Sequence, residues 1–197
     1  VIPVLLESER DLVGLAQTGT GKTAAFGLPM IQKADITIKQ TQGLILSPTR
    51  ELCMQIAKDL QSYSKNSKNL RITAVYGGTS IETQITELRK GSHIVVGTPG
   101  RTLDLIKRNR LNVSKINTVV LDEADEMLSM GFKEDLDAIL EGTPATKQTL
   151  LFSATMPAEI SRISKKFMNN PVELSAGTKN IGAENVKHIY YEVSARD

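Results

Sequence analysis

Short apolar runs rich in β-branched residues alternate along this chain with longer amphipathic runs. The strand-like runs cover residues 12–15, 43–47, 71–76, 93–97, 118–121, 148–153, 172–174 and 186–193. The helix-like runs cover residues 22–31, 50–62, 81–88, 102–108, 136–140 and 158–167. The strands are apolar almost throughout, which is typical of strands buried on both faces. The alternation predicts an α/β fold with a mostly parallel central sheet and helices on both faces.

Length, charge and cysteine content limit the class of protein. The chain has 197 residues, which fits one domain, and its single cysteine, Cys53, cannot form a disulfide within the chain. We expect Cys53, His93 and His188 to be structural. A net charge of +2 is too small to indicate a nucleic-acid partner, so any binding surface must come from local clustering of charge. No apolar run approaches the roughly 20 residues of a membrane span, and we expect a cytoplasmic monomer.

A glycine-rich segment joins the first strand-like run to the first helix-like run. Its predicted phosphate-binding residues are Ala16, Gln17, Thr18, Gly19, Thr20, Gly21, Lys22 and Thr23. Glycines let the backbone curl so that its N–H groups point at phosphate oxygens, and a helix N-terminus favours negative charge. Lys22 can reach the β- and γ-phosphates, and the Thr23 hydroxyl can bind Mg²⁺. The general pattern begins with glycine, whereas this segment begins with Ala16.

A second polar cluster follows the strand-like run at 118–121 and reads Asp122-Glu123-Ala124-Asp125. An Asp at the carboxyl end of a buried parallel strand lies where α/β sheets bind ligands. Asp122 is therefore a candidate Mg²⁺ ligand, and Glu123 a candidate base for the attacking water. The alternative is an acidic first turn of a helix, favoured by the helix dipole. The glycine-rich segment upstream favours the catalytic interpretation, with Lys22, Asp122 and Glu123 as catalytic residues.

Together these motifs resemble the DEAD-box RNA helicase family, whose name is spelled by residues 122–125. Residues 16–23 match that family's form of the phosphate loop, including the alanine at its first position. Further similar segments occur in the family's order: Pro48-Thr49-Arg50-Glu51-Leu52, Gly77-Gly78, Thr98-Pro99-Gly100-Arg101 and Ser153-Ala154-Thr155. The resemblance covers essentially the whole chain and is somewhat closer to bacterial members.

The resemblance implies a RecA-like P-loop NTPase domain that uses ATP and Mg²⁺ and binds RNA. The residues implied to line the RNA path are Pro48, Thr49, Arg50, Gly78, Thr98, Pro99, Gly100 and Arg101. Loop N–H groups, small hydroxyls and arginines are typical phosphate binders. Aromatic residues make up only 4% of the chain and tryptophan is absent, so we expect sequence-independent contacts with the RNA backbone rather than base stacking.

Three further residues are implied to couple the nucleotide site to strand separation. These are Asp125, Ser153 and Thr155, whose hydroxyl and carboxylate groups can hydrogen-bond to one another. A helix N-cap is the alternative role for Thr155, since Met156-Pro157 follows it and we expect Pro157 just inside the next helix.

Family members also carry an upstream glutamine motif that reads adenine and a second RecA-like domain that supplies catalytic arginines. We expect residues 1–197 to be the first RecA-like domain, beginning inside a helix and after that motif. The adenine preference is thus implied by resemblance alone, and we expect at most feeble ATPase activity from this chain by itself. Two alternatives stay open: a P-loop ATPase acting on DNA, and a degenerate RecA-like module that binds RNA or protein without catalysis.

Overall fold

A computed structural model describes residues 1–17 and 19–175 of the chain. Thr18, His188 and the strand-like run at 186–193 lie outside the described residues. Within them, the strands are β1 (Leu12–Leu15), β2 (Gly43–Leu46), β3 (Ile72–Val75), β4 (Ile94–Gly97), β5 (Thr118–Leu121), β6 (Gln148–Ser153) and β7 (Val172–Ser175). The helices are α1 (Ile2–Glu7), α2 (Lys22–Lys33), α3 (Arg50–Tyr63), α4 (Ile81–Arg89), α5 (Pro99–Lys107), α6 (Ala124–Ser129), α7 (Lys133–Gly142) and α8 (Ala158–Phe167).

The strands form one seven-stranded sheet in the order β3-β4-β2-β5-β6-β1-β7. Every pairing is parallel, as between β2 and β5, where Gly43 lies opposite Thr118 and Leu46 opposite Leu121. Because the strands are parallel, all their carboxyl ends lie at one edge of the sheet. The mostly parallel α/β fold predicted from the sequence is confirmed.

Side chains alternate between the two faces of the sheet and build a hydrophobic core on each. Within β5, Val119 and Leu121 belong to the first core and Val120 to the second. The first core is completed by apolar residues of α4 to α8, and the second by apolar residues of α1, α2 and α3. This double coverage explains why the strand sequences are apolar at nearly every position.

Local capping signals account for several helix boundaries. Thr49 is the N-cap of α3 and its side chain accepts a hydrogen bond from the Leu52 N–H, while Pro99 occupies the first turn of α5. The prediction that Pro157 lies just inside the following helix is wrong, because Pro157 is the N-cap and α8 begins at Ala158. No helix among the described residues is both long and apolar enough to cross a membrane.

Candidate functional site

Among the described residues, the predicted site residues lie on loops, strand ends and helix starts at the carboxyl edge of the sheet. The loop after β1 carries the glycine-rich segment, and the loops after β5 and β6 carry Asp122 and the segment 153–155. The loops after β2, β4 and β3 carry the segments that resemble RNA-contact motifs. In the sheet order, β5, β6 and β1 are neighbours and so are β3, β4 and β2. The edge therefore has two adjoining halves: the motifs predicted to bind nucleotide follow β5, β6 and β1 (the nucleotide half), and the motifs predicted to contact RNA follow β3, β4 and β2 (the RNA half).

The glycine-rich loop has the backbone geometry of a phosphate cradle. Gly19 and Gly21 have φ angles of +79° and +81°, in the left-handed region that glycine adopts without strain. Gly21 is the N-cap of α2 and provides no side-chain cap, while Thr20 Oγ1 donates to the Gln17 carbonyl at 2.8 Å. The uncapped helix start and the curled backbone fit an anionic ligand.

Lys22 links this loop to the acidic strand end. Its Nζ donates to the Ala16 carbonyl at 3.3 Å and lies 3.6 Å from Asp122 Oδ1. Lys22 begins α2, which follows β1, and Asp122 follows β5, so the contact links loops after two strands that β6 separates in the sheet. The side chains of Lys22 and Asp122 are only 8% and 3% exposed, and this buried ammonium–carboxylate contact brings together two residues 100 positions apart in the sequence.

Asp122 is a buried carboxylate in a mixed electrostatic environment. Burial raises its pKa, the Lys22 ammonium opposes that rise, and the neighbouring Glu123 carboxylate adds to it. Its Oδ1 also accepts a hydrogen bond from the Glu123 N–H at 3.1 Å. A buried carboxylate of this kind fits a metal ion, because a cation compensates the cost of ionisation.

Glu123 has an unusual backbone conformation that the sequence did not predict. Its φ and ψ angles are 54° and 51°, in the left-handed region, and it is the N-cap of α6. A non-glycine residue in this region is strained by contacts of its Cβ atom. Such strain concentrates at functional sites, and here it sets the direction of the Glu123 side chain at the end of β5.

Asp125 is hydrogen-bonded to the segment after β6. Its Oδ2 accepts from the Thr155 N–H at 3.0 Å and from Thr155 Oγ1 at 2.7 Å. Partial burial opposes ionisation of Asp125, but the hydrogen bonds from Thr155 outweigh it and lower its pKa. Ser153 also favours the ionised carboxyl, although its buried Oγ makes no hydrogen bond of normal geometry in the described residues. The N-cap alternative for Thr155 is wrong, since its hydroxyl binds Asp125 and Pro157 caps α8.

The loops of the RNA half differ in how they present their predicted residues. Pro48 and Pro99 are buried, so their side chains shape the loops and do not line an open path. Thr49, Gly100 and Thr98 are half-buried, and Arg50 is exposed. Within this set, the accessible groups are thus the arginines, the backbone and the small hydroxyls.

Two arginines flank the glycine doublet of the loop after β3. The Arg50 guanidinium lies over the Tyr76 ring, 5.3 Å from its centre. Arg101 donates from Nη1 to Gln84 Oε1 at 3.0 Å and from Nη2 to the Thr79 carbonyl at 3.1 Å. Tyr76 and Gln84 were not predicted from the sequence. The available sequence signal for Gln84 is its position three residues after Ile81, on the apolar face of the helix-like run at 81–88.

Cys53 and His93 are structural, as predicted. Cys53 is fully buried on α3, its Sγ lies 3.2 Å from the Val96 carbonyl, and burial raises the pKa of the thiol to about 12. His93 is also buried, and its Nδ1 accepts from the Arg71 N–H at 3.0 Å. Neither residue lies on the carboxyl-end loops that carry the candidate site.

A cleft of about 320 Å³ opens beside the glycine-rich loop. It is lined by Leu15, Ala16, Thr20 and Lys22 among others. Its volume lies at the lower end of the range of small-molecule sites. Within the described residues, no group of three or more His, Cys, Asp and Glu side chains is placed to hold a metal ion.

The parallel sheet, the glycine-rich loop before α2 and the acidic end of β5 define a RecA-like domain of the P-loop NTPase class. The model of the DEAD/DEAH box helicase family matches residues 1–163. The chain belongs to this family, which confirms the resemblance found in the sequence.

Several curated relatives are bacterial. The chain is 50% identical over 195 residues to the DEAD-box ATP-dependent RNA helicase CshA of Bacillus cereus, which covers 99% of this chain and 37% of that protein. It is 50% identical over 196 residues to CshA of Streptococcus pneumoniae, again covering 37% of that protein. The chain therefore spans a little over a third of the length of these relatives.

Solved structures agree with the fold. A DEAD box protein from the hyperthermophile Methanococcus jannaschii has a TM-score of 0.86 and 46% identity, over 90% of this chain and 48% of that one. The yeast DEAD-box splicing factor Prp28 has a TM-score of 0.83 and 34% identity, over 90% of this chain and 44% of that one. The RecA-like fold predicted from the sequence is confirmed.

Proposed function

We propose that the chain is the ATP-binding domain of an RNA helicase, which couples ATP binding and hydrolysis to RNA binding and local duplex unwinding. The observation that carries this proposal is the contact of Lys22 with both the glycine-rich loop and Asp122, on the same sheet edge as the arginine-flanked loops. The relatives named as ATP-dependent RNA helicases support it. In this proposal residues 1–197 form the first RecA-like domain, and a second such domain is its partner within the same protein.

The nucleotide half would hold a nucleoside triphosphate by its phosphates. The backbone of residues 16–21 and the start of α2 supply N–H groups, and the Lys22 ammonium supplies a positive charge that is already desolvated. Thr23 and Asp122 would hold Mg²⁺, which binds proteins through few side chains and completes its shell with phosphates and water. When bound, Mg²⁺ would neutralise charge on the phosphate oxygens.

Glu123 is the proposed general base. Its carboxylate is attached next to Asp122, and its left-handed backbone directs the side chain independently of the β5 pleat. It would accept the proton of a water molecule as that water attacks the terminal phosphate. Lys22 would stabilise the negative charge on the phosphate oxygens during the same step.

The RNA half would bind phosphates of the RNA backbone without reading sequence. Arg50 and Arg101 supply positive charge, and the turns at Gly78 and Gly100 supply accessible backbone. Asp125 and Thr155 would couple the two halves, since their hydrogen bonds connect α6, which follows the catalytic carboxylates, to the loop after β6.

The proposal is tested by ATP turnover of the full-length protein with RNA, with DNA and without polymer. We expect RNA, and not DNA, to stimulate ATP turnover. Lys22→Ala should abolish turnover, and Glu123→Gln should retain ATP binding but lose hydrolysis by a factor of about 10² or more. Equal rates in all three conditions would reject the RNA assignment, and DNA-specific stimulation would favour the DNA-dependent alternative.

A Glu123→Gln protein that hydrolyses ATP at the wild-type rate would refute the base assignment. A wild-type protein that binds RNA without any turnover would favour the degenerate module instead. Monomeric state and cytoplasmic location stay predictions, which sedimentation and cell fractionation would test.

A further inference from the structure

Gln84 is a buried polar residue on α4 that connects two of the loops in the RNA half. Only 7% of the residue is exposed. Its Nε2 donates to the Tyr76 carbonyl at 3.0 Å and to Thr79 Oγ1 at 2.8 Å, while its Oε1 accepts from Arg101 Nη1 at 3.0 Å. Both ends of the amide are therefore used, and the partners fix its orientation.

Arg101 is held at two points but keeps its charge. Besides Gln84, it binds the Thr79 carbonyl through Nη2 at 3.1 Å. Both acceptors are neutral, and Arg101 has no ion pair among the described residues. Two N–H groups of the guanidinium are engaged of the five that it carries, so the positive charge and the remaining donors are available to a phosphate.

The same loop is also contacted by Arg50. The Arg50 guanidinium lies over the Tyr76 ring, and its Nη1 would be 3.5 Å from a Cβ atom placed on Gly78. Gly78 has a φ angle of +79°. Both arginines thus contact the loop that carries the glycine doublet, and Gln84 restrains the position of Arg101.

We propose that Gln84 is a positioning residue for RNA binding: it locks the loop after β3 to Arg101, so that the guanidinium meets the RNA backbone in one orientation. This assignment rests on the proposed function. Without the amide, Arg101 loses one of its two restraints, and the Tyr76 carbonyl and the Thr79 hydroxyl lose a donor. Restraint of a long side chain before binding improves affinity, because less conformational entropy is lost on association.

Two substitutions separate positioning from simple packing. Gln84→Met keeps a similar volume but removes all three hydrogen bonds. Gln84→Glu keeps the shape but places a carboxylate against Arg101, which would neutralise its charge. For both variants we expect an RNA affinity about 5- to 10-fold weaker than that of the wild-type protein. The slope of the logarithm of the RNA association constant against the logarithm of salt concentration should become smaller in magnitude by about 1, as for the loss of one phosphate contact.

A control residue is available at the amino end of β3, whereas Gln84 contacts the loop that follows the carboxyl end of that strand. The Gln61 Nε2 donates to the Ile72 carbonyl at 3.3 Å, at the amino end of β3. Gln61→Met removes a single amide–carbonyl hydrogen bond, made by an exposed side chain away from the carboxyl edge. We expect it to leave the RNA affinity and its salt slope unchanged.

The experiment measures binding of single-stranded RNA by the full-length protein across a series of salt concentrations, with ATP affinity and thermal unfolding as checks on folding. A cycle with Arg101→Ala is included. If Gln84 acts through Arg101, Gln84→Met should weaken RNA binding less in the Arg101→Ala protein than it does in the wild-type protein.

Fully additive effects, or wild-type RNA affinity and salt slope in folded Gln84→Met and Gln84→Glu proteins, would overturn the positioning role and leave the proposed function intact. A wild-type protein that fails to bind RNA would instead overturn the proposed function, and the Gln84 assignment with it. A higher KM for RNA with an unchanged kcat for ATP hydrolysis in both variants would support the assignment.

Discussion

Strain at Glu123 shows how a single residue at the site is shaped by demands other than stability. The residue is held at φ 54° and ψ 51° although it has a Cβ atom. The chain leaves β5 at Leu121 and enters α6 at Ala124, so Asp122 and Glu123 alone make the turn, and Glu123 adopts the left-handed conformation within it. A glycine would make the turn without strain but would carry no carboxylate.

We therefore expect Glu123→Gly to be more stable than Glu123→Ala by about 1 kcal/mol, although both lack the proposed base. Alanine keeps the strained Cβ, so the comparison isolates the backbone effect. Urea unfolding of the two variants measures the difference. An alanine variant as stable as the glycine variant would show that the left-handed conformation is not maintained at this position.

The link between α6 and the loop after β6 predicts a dependence of stability on pH. The pKa of Asp125 in the folded protein lies below its ordinary value because of the Thr155 hydrogen bonds. Asp125 in the folded state then binds fewer protons than in the unfolded state. Its contribution to the free energy of unfolding is therefore fully present above the ordinary pKa and is lost as the pH falls through the folded-state pKa. Relative to Asp125→Asn, the wild-type protein should lose unfolding free energy as the pH falls below the ordinary aspartate pKa of about 4.

Thr155→Val provides the check on this interpretation. It removes the hydroxyl donor at 2.7 Å but keeps the backbone N–H donor at 3.0 Å, so it should reduce the acid-dependent loss without abolishing it. Urea unfolding at each pH measures all three proteins. Parallel pH profiles for wild type and Asp125→Asn would contradict the linkage.

Packing between β3, β4 and α5 depends on a glycine at the end of β4. A Cβ atom on Gly97 would overlap Thr102 Oγ1 and would lie 2.9 Å from Val75 Cγ2. Gly97→Ala should therefore destabilise the domain by about 1–3 kcal/mol in chemical unfolding. Gly142→Ala is the matched control, because a Cβ atom there meets nothing within 4 Å and should be neutral or slightly stabilising. Equal stability of the two variants would mean that Thr102 and Val75 can move aside freely.

Strands were predictable almost to the residue, whereas several helices were not. The run at 118–121 coincides with β5: Thr118 begins the strand, its remaining residues are apolar as burial on both faces favours, and the polar Asp122 follows it. The six-residue helix α6 was missed, since under two turns carry little periodicity. Helix α5 begins at Pro99, three residues before the predicted start, because the apolar pattern begins later than the first turn.

Long-range contacts at the site could not be predicted from the sequence. Lys22 and Asp122 were predicted as site residues from two separate motifs. Their 3.6 Å contact, however, depends on the position of β6 between β1 and β5. The sequence order of the strands does not determine that position. The role of Gln84 could not be predicted for the same reason, because its partners come from the loop after β3 and from α5.

At the scale of the whole molecule, the sheet order separates the positive charges of the carboxyl edge. Lys22 contacts Asp122 in the nucleotide half. Arg50 and Arg101 lie in the RNA half, on α3 and α5, where they contact Tyr76, Gln84 and Thr79. Strands β5 and β6 lie between β1, which precedes the glycine-rich loop, and the strands that precede these loops, so in our proposal neither arginine serves the phosphates held by the glycine-rich loop.

The isolated chain should consequently be a poor ATPase. An arginine acting on the terminal phosphate is worth about 10³–10⁵ in rate, and in our proposal that residue comes from the second RecA-like domain. We expect the purified 197-residue chain to show ATP turnover lower than the full-length protein by about that factor, with no RNA stimulation and no unwinding. Adding the separate second domain should restore part of the rate. Robust RNA-stimulated turnover by the chain alone would show that Lys22 and Glu123 suffice, and would contradict the proposed division of the site between two domains.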